Sequence, residues 1–137
     1  MDVSEQEAKL TLRLAQLEKH ERCQEDFLIF VKNMWPDFIA GRHHKIIAEK
    51  LERVAKGELK RLIINMAPRH TKSEFASFLF PAWMMGRNPK MKIIQATHTT
   101  ELAVNFGRKT KNLIDSDDYK DIFPSVNLSA DSKASGR

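Results

Sequence analysis

Apolar positions recur along the first third of the chain at helical spacing. Leu10, Leu14 and Leu17 fall three and four residues apart, and Phe27, Phe30 and Val31 carry an apolar face onward, so residues 6 to 32 read as helix. Asp26 stands either inside that helix or as the cap of a second one. Trp35-Pro36 interrupts the pattern, because the proline ring disfavours helical backbone at the residue before it. Ile46, Ile47, Leu51 and Val54 predict a further amphipathic helix, closed by Lys56 in a basic last turn and by Gly57 as the stop.

The pattern then changes period. Leu62-Ile63-Ile64-Asn65-Met66 is a short, mostly apolar run rich in β-branched residues, bounded by charges before it and Ala67-Pro68 after it, and it predicts a buried strand of a parallel sheet. Phe75, Phe78, Leu79 and Trp83 predict a helix over 72 to 86 that Pro81 bends, followed by a loop from Gly86 to Pro89. Met91 to Thr97 reads as a second strand, and Leu102, Phe106 and Leu113 as a helix from about Thr99 to Asp115. Strand, helix, strand, helix argues for an α/β domain with a parallel sheet. The expected organisation is a helical N-terminal region over residues 1–57 and an α/β part over 58–137. Ser125 to Arg137 is small, polar and patternless, either loop or a truncated strand, and Trp35 and Trp83 read as core.

Composition narrows the class. With 137 residues, 42% hydrophobic and 30% charged, the chain has the make-up of one globular domain. Cys23 has no second thiol to pair with, which suits a reducing cytosol. Met1 to Glu7 lacks the basic and apolar regions of a signal peptide, and the apolar run Phe27 to Val31 falls far short of the roughly 20 residues that span a bilayer. The net charge of +5 is unevenly placed: residues 41 to 111 hold 15 Lys or Arg against 5 Asp or Glu, and the remainder 8 against 13. The basic middle either faces a polyanion, nucleotide or nucleic acid, or is a solvated helix surface.

Candidate chemistry concentrates in Asn65-Met66-Ala67-Pro68-Arg69-His70-Thr71-Lys72-Ser73-Glu74, between a predicted strand and a predicted helix. A phosphate-binding loop needs successive backbone N–H groups curled round the anion, a lysine for the outer phosphates and a hydroxyl directly after it for Mg²⁺, all at a helix N-terminus. Lys72 and Ser73 fit the last two roles. The standard pattern G-x-x-x-x-G-K-[ST] is broken at Met66 and at Thr71, so Thr71 must accept a conformation that β-branched residues disfavour. Alternatively, Lys72-Ser73 simply begins a helix after a proline turn.

The stretch Glu58-Leu59-Lys60-Arg61-Leu62-Ile63-Ile64-Asn65-Met66-Ala67-Pro68-Arg69-His70-Thr71-Lys72-Ser73-Glu74 resembles the Walker A region of phage terminase large subunits, the ATP-driven motors that package viral DNA. Phe80-Pro81-Ala82-Trp83, Gly86-Arg87-Asn88-Pro89, Phe106-Gly107-Arg108-Lys109, Asn112-Leu113-Ile114-Asp115-Ser116 and Leu128-Ser129-Ala130-Asp131-Ser132 extend the similarity from about Gly41 to the end. The resemblance implies an incomplete P-loop-type parallel sheet flanked by helices, with ATP and Mg²⁺ as cofactors. By it, Lys72 contacts the β- and γ-phosphates, Ser73 holds Mg²⁺, and Arg69 is either a second catalytic cation that braces phosphate oxygens or a solvated loop cation. Ala67, Pro68, Arg69, His70, Thr71, Lys72, Ser73 and Glu74 together form the binding loop, with Thr71 departing from the family's usual glycine.

His43 and His44 match a paired-histidine segment of the family, either structural or near the nucleotide base. His98, Thr99 and Thr100 are either a coupling segment or a helix cap, and Arg108, Lys109 and Lys111 either touch DNA phosphates or form a solvated face. The resemblance further implies viral double-stranded DNA, a small terminase subunit and a portal protein as partners. It also implies homo-oligomerisation of the full-length protein and residence in the cytoplasm of a bacterial host. No apolar strand ending in an acidic residue follows Asp115, so the chain reads as an N-terminal portion truncated before the acidic Mg²⁺-binding strand, with the nuclease domain further on. ATP binding without useful turnover is expected. The competing expectations are a non-catalytic remnant or basic interaction module, or part of another helicase-like P-loop NTPase.

Overall fold

The computed structural model describes residues 3–129. The last part of the polar tail and of the Leu128 to Ser132 similarity, from residue 130 on, lies outside the described residues. The elements are α1 (Val3–Glu25), α2 (Phe27–Met34), α3 (Arg42–Ala55), a π-helical stretch (Glu74–Leu79), α4 (Phe80–Arg87), α5 (Thr100–Ile114) and α6 (Asp117–Ile122). Local chemistry sets most of the boundaries. Asp26 caps α2 by accepting from the Ile29 amide at 2.9 Å, so the long N-terminal helix is two helices. Gly57, with φ of 76°, stops α3 in a conformation that glycine adopts without strain. Thr99 caps α5 through the Leu102 amide at 3.2 Å, and Ser116 caps α6, a helix that apolar spacing does not announce.

The expected α/β fold with a parallel sheet is overturned: among the described residues there is no strand and no sheet. Leu62, Ile64 and Met66 pack on the core while Arg61, Ile63 and Asn65 face outward, the two-residue alternation of an extended chain. Among the described residues, however, no backbone hydrogen bond joins this segment, or residues 92–97, to any neighbour. The sequence predicts a buried strand over 62–66 and a second strand over 91–97, but Ile63 is 85% exposed and Ile94 96% exposed. The first run is apolar because one face covers the core, and neither run supplies the ladder partner that a strand requires.

The helix after the loop continues one residue further than the pattern suggests, to Arg87, so Gly86 is helical rather than part of a loop. Pro81 shapes the helix. Having no N–H, it leaves the Ser77 carbonyl without its helical donor, and its ring crowds that carbonyl. The turn before it widens, so that the Phe80 amide donates to the Phe75 carbonyl five residues back. Gln95 Nε2 donates to the freed Ser77 carbonyl at 3.1 Å, which fastens the segment after α4 to this helix.

The core lies where these helices converge. Cys23, Phe27, Phe30, Val31, Leu51, Phe75, Leu79, Trp83, Tyr119 and Ile122 are buried there. Phe27 meets Phe75 edge-on at 5.6 Å and Trp83 at 5.4 Å. The Trp83 indole donates to the Cys23 carbonyl at 2.9 Å and the Tyr119 hydroxyl to the Ala82 carbonyl at 2.7 Å, so neither buried polar tip is left unpaired. Burial pushes the Cys23 thiol above its ordinary value, which keeps it an unreactive core atom. Trp35 is half-buried against Phe38 rather than in the centre. Among the described residues no helix is long and apolar enough to cross a membrane.

Two glycines separate packing from propensity. A Cβ on Gly86 would sit 2.5 Å from Cδ2 of the buried Phe123 ring, whereas one on Gly107 meets nothing within 4 Å. Gly86→Ala is expected to destabilise by about 1–3 kcal/mol through overpacking. Gly107→Ala is expected to stabilise by about 0.5–1 kcal/mol through helix propensity. Urea unfolding of the two variants checks the opposite signs.

Candidate functional site

The site is a short loop between a half-buried extended segment and a helix. On the entry side, Leu62, Ile64 and Met66 anchor the chain to the core. On the exit side, helical backbone begins at Lys72, and the Phe75 amide closes the first turn onto the Thr71 carbonyl at 3.0 Å. Between them, Arg69 has φ of 65° and Thr71 φ of 60°, the only non-glycine residues of positive φ among those described. The sign of φ therefore alternates from Pro68 to Lys72, as it does in backbone nests. Among the described residues, the amides of Arg69 and Thr71 donate to nothing, while a turn over Pro68 and Arg69 aims the His70 amide back at the Ala67 carbonyl.

Side chains from a distant helix brace this backbone. His44 lies in the first turn of α3, 7% exposed, and its Nδ1 accepts from the Gly41 amide at 2.9 Å, the returning half of a capping box. Its Nε2 lies 2.6 Å from Thr71 Oγ1, and that hydroxyl donates to the His70 carbonyl at 2.6 Å. Phe75 stacks on the imidazole at 5.2 Å and Phe38 meets it edge-on at 4.7 Å. His43 lies 3.8 Å from His44 and 6.0 Å from His70, centre to centre. Burial, then the positive charge that His43 and His70 would carry, hold the His44 pKa below its ordinary 6.5.

The residues singled out in the sequence are thus partly brought together. Ala67, Pro68, Arg69, His70 and Ser73 are exposed, Thr71, Lys72 and Glu74 half-buried, and Lys72 and Arg69 make no ion pair among the described residues. Of the two readings of the histidine pair, His44 has a structural part. Thr99 serves as a cap, whereas His98 and Thr100 are exposed. Lys109, a candidate for DNA phosphate, instead binds Glu74 Oε1 at 3.2 Å and so ties α5 to the start of the helix after the loop. Arg108 and Lys111 remain outside the loop.

Beside the loop, α3 and residues 62–66 flank an apolar cleft of about 290 Å³ with His43 on its wall. A larger depression of about 690 Å³ follows α5 from Thr99 to Arg108 and includes none of residues 67–74. Among the described residues, no group of three or more His, Cys, Asp or Glu side chains is placed to hold a metal ion. The contact from His44 to Thr71 spans 27 residues and is not visible in local pattern, which places His44 just before a helix rather than in its first turn. No family model, curated protein or solved structure matches the chain.

A pH prediction follows from His44. The folded protein resists protonating it, while the unfolded chain takes up that proton below about pH 6.5. Its contribution to stability is therefore complete above that pH and is lost as the pH falls further. Between pH 7 and pH 5 the melting temperature of the native chain is expected to drop more steeply than that of His44→Phe. Parallel declines would show that His44 does not carry the effect.

Proposed function

We propose that residues 67–74 bind the phosphates of ATP·Mg²⁺, and that the chain is the nucleotide-binding portion of a phage terminase large subunit. The observation that carries the reading is Thr71, which holds a left-handed backbone directly before a helix that starts at Lys72. A β-branched residue is disfavoured there, and the phosphate-loop pattern places a glycine at this position for that conformation. The similarity to terminase Walker A regions, which rests on residues and not on a sheet, supports the same assignment.

Each residue has a distinct part in binding. The unbonded amides of Arg69 and Thr71 and the N-terminus of the following helix supply donors for phosphate oxygens. The Lys72 ammonium adds charge at the outer phosphates, and the exposed Arg69 guanidinium is suited to bidentate contact with two oxygens. The cleft walled by His43 and residues 62–66 is apolar and adjoins the loop, which suits a nucleobase. Viral DNA, the small subunit and the portal remain partners within this same proposal.

The fit to Mg²⁺ is partial. Ser73 offers one exposed hydroxyl, and Glu74, the loop's only carboxylate, is engaged by Lys109. The ion would take its other ligands from phosphate and water, and when bound it neutralises phosphate charge. With no carboxylate in residues 67–74 beyond Glu74, the loop by itself supplies only part of the stabilisation that phosphoryl transfer requires. Binding without useful turnover is the expected behaviour.

Calorimetric titration tests this. Native protein is expected to bind ATP·Mg²⁺ weakly, Lys72→Ala to lose about tenfold or more in affinity, equivalent to about 1.4 kcal/mol, and Lys92→Ala, on the exposed segment after α4, to bind as native. Equal affinity in native and Lys72→Ala protein would remove the loop from consideration.

A further inference from the structure

Thr71, with φ of 60°, occupies a conformation that disfavours an L-residue relative to right-handed backbone. Such a residue persists when its surroundings over-determine it. Here the surroundings can be followed proton by proton. The Gly41 amide must donate, so Nδ1 of His44 carries a lone pair and the proton of the neutral ring sits on Nε2. That proton points at Thr71 Oγ1, 2.6 Å away, and the Thr71 hydroxyl sends its own proton to the His70 carbonyl. The direction of every hydrogen bond from Gly41 to His70 is then set by the first. His70 adds a local brace, its Nδ1 lying 3.0 Å from the Pro68 carbonyl.

We propose that His44 is a positioning residue that latches Thr71 in its left-handed conformation, taking over the part that a glycine plays by its own freedom. The proposal rests on the nucleotide reading for its consequence, which is that the latch sets how well the loop amides are organised for a triphosphate. The ring is held on the side of α3 by the Gly41 amide and lies between Phe38 and Phe75, so contacts outside residues 67–71 set the place of its Nε2. The titratable groups that face it are His43 on its own helix and His70 on the loop. Phe38 and Phe75, from the other packed segments, carry no charge, so the neutral ring with its single Nε2 proton is the working form.

A double-mutant cycle distinguishes a latch from ordinary packing. His44→Phe keeps an aromatic ring between Phe38 and Phe75 and removes both nitrogens; Thr71→Gly removes the need for a latch. The affinity for ATP·Mg²⁺ is expected to fall about tenfold for His44→Phe in the native background. In the Thr71→Gly background the same change is expected to cost less than about twofold, because glycine reaches positive φ unaided. An equal loss in both backgrounds overturns the latch and leaves His44 a packing residue.

The latch itself is also testable apart from the nucleotide reading. Should Lys72→Ala bind ATP as native does, the latch is still read from nitrogen-resolved spectra of the free protein. A His44 ring protonated at Nε2 alone, and a Thr71 backbone coupling constant that changes in His44→Phe, support it. A ring protonated at Nδ1, or an unchanged coupling constant, overturns it.

Discussion

Phe75 joins the core of this protein to its loop. Its ring is fully buried, edge-on to Phe27 at 5.6 Å on the core side, and in contact with Phe38 at 5.4 Å and His44 at 5.2 Å on the loop side. Its amide closes the first helical turn onto the Thr71 carbonyl, and its carbonyl receives the Phe80 amide. One residue thus fixes where the helix starts, where its widened turn runs and what the His44 ring leans on. An exposed loop of Pro, Arg and His would otherwise lack apolar contacts to hold its shape, and the precision of the loop is borrowed from the aromatic cluster beneath it.

The widened turn extends that dependence toward the C-terminal half. Pro81 denies Ser77 a helical partner, and Gln95 fills the place from the segment after α4. Lys109 reaches back from α5 to Glu74 in the same helix. That ion pair is partly exposed and contributes little to stability, but it occupies the loop's only carboxylate and one of the cations that sequence alone offers to DNA. The loop's remaining cations, Arg69 and Lys72, carry no such pairing among the described residues.

The helix stop at Gly57 was legible because a period and a cap coincide there, whereas at Asp26 and Thr99 the sequence leaves two readings open and the structure selects the cap. The helix start at Lys72 was legible because proline, a helix-starting lysine and an apolar face follow one another. The sheet was misread because a short apolar run does not reveal how many of its faces are covered. Ile63 and Ile94 have the residue type of a buried strand and the exposure of a surface. The α6 helix was hidden because six residues are too few for a period to show. Within the site, the strain at Thr71 could be anticipated from the missing glycine, whereas its remedy could not. The His44 contact links two segments that only the folded chain brings together.

The central claim is that the backbone from Arg69 to Ser73 cradles phosphate. Amide spectra of the isotopically labelled chain during titration with ATP·Mg²⁺, and then with inorganic triphosphate, test it most directly. Amides 69–73 are expected to shift together and saturate with both ligands, because the donors read the phosphate chain. Amides in the cleft beside His43 are expected to respond to ATP alone. Amides 69–73 that stay in place while others elsewhere shift would contradict the claim.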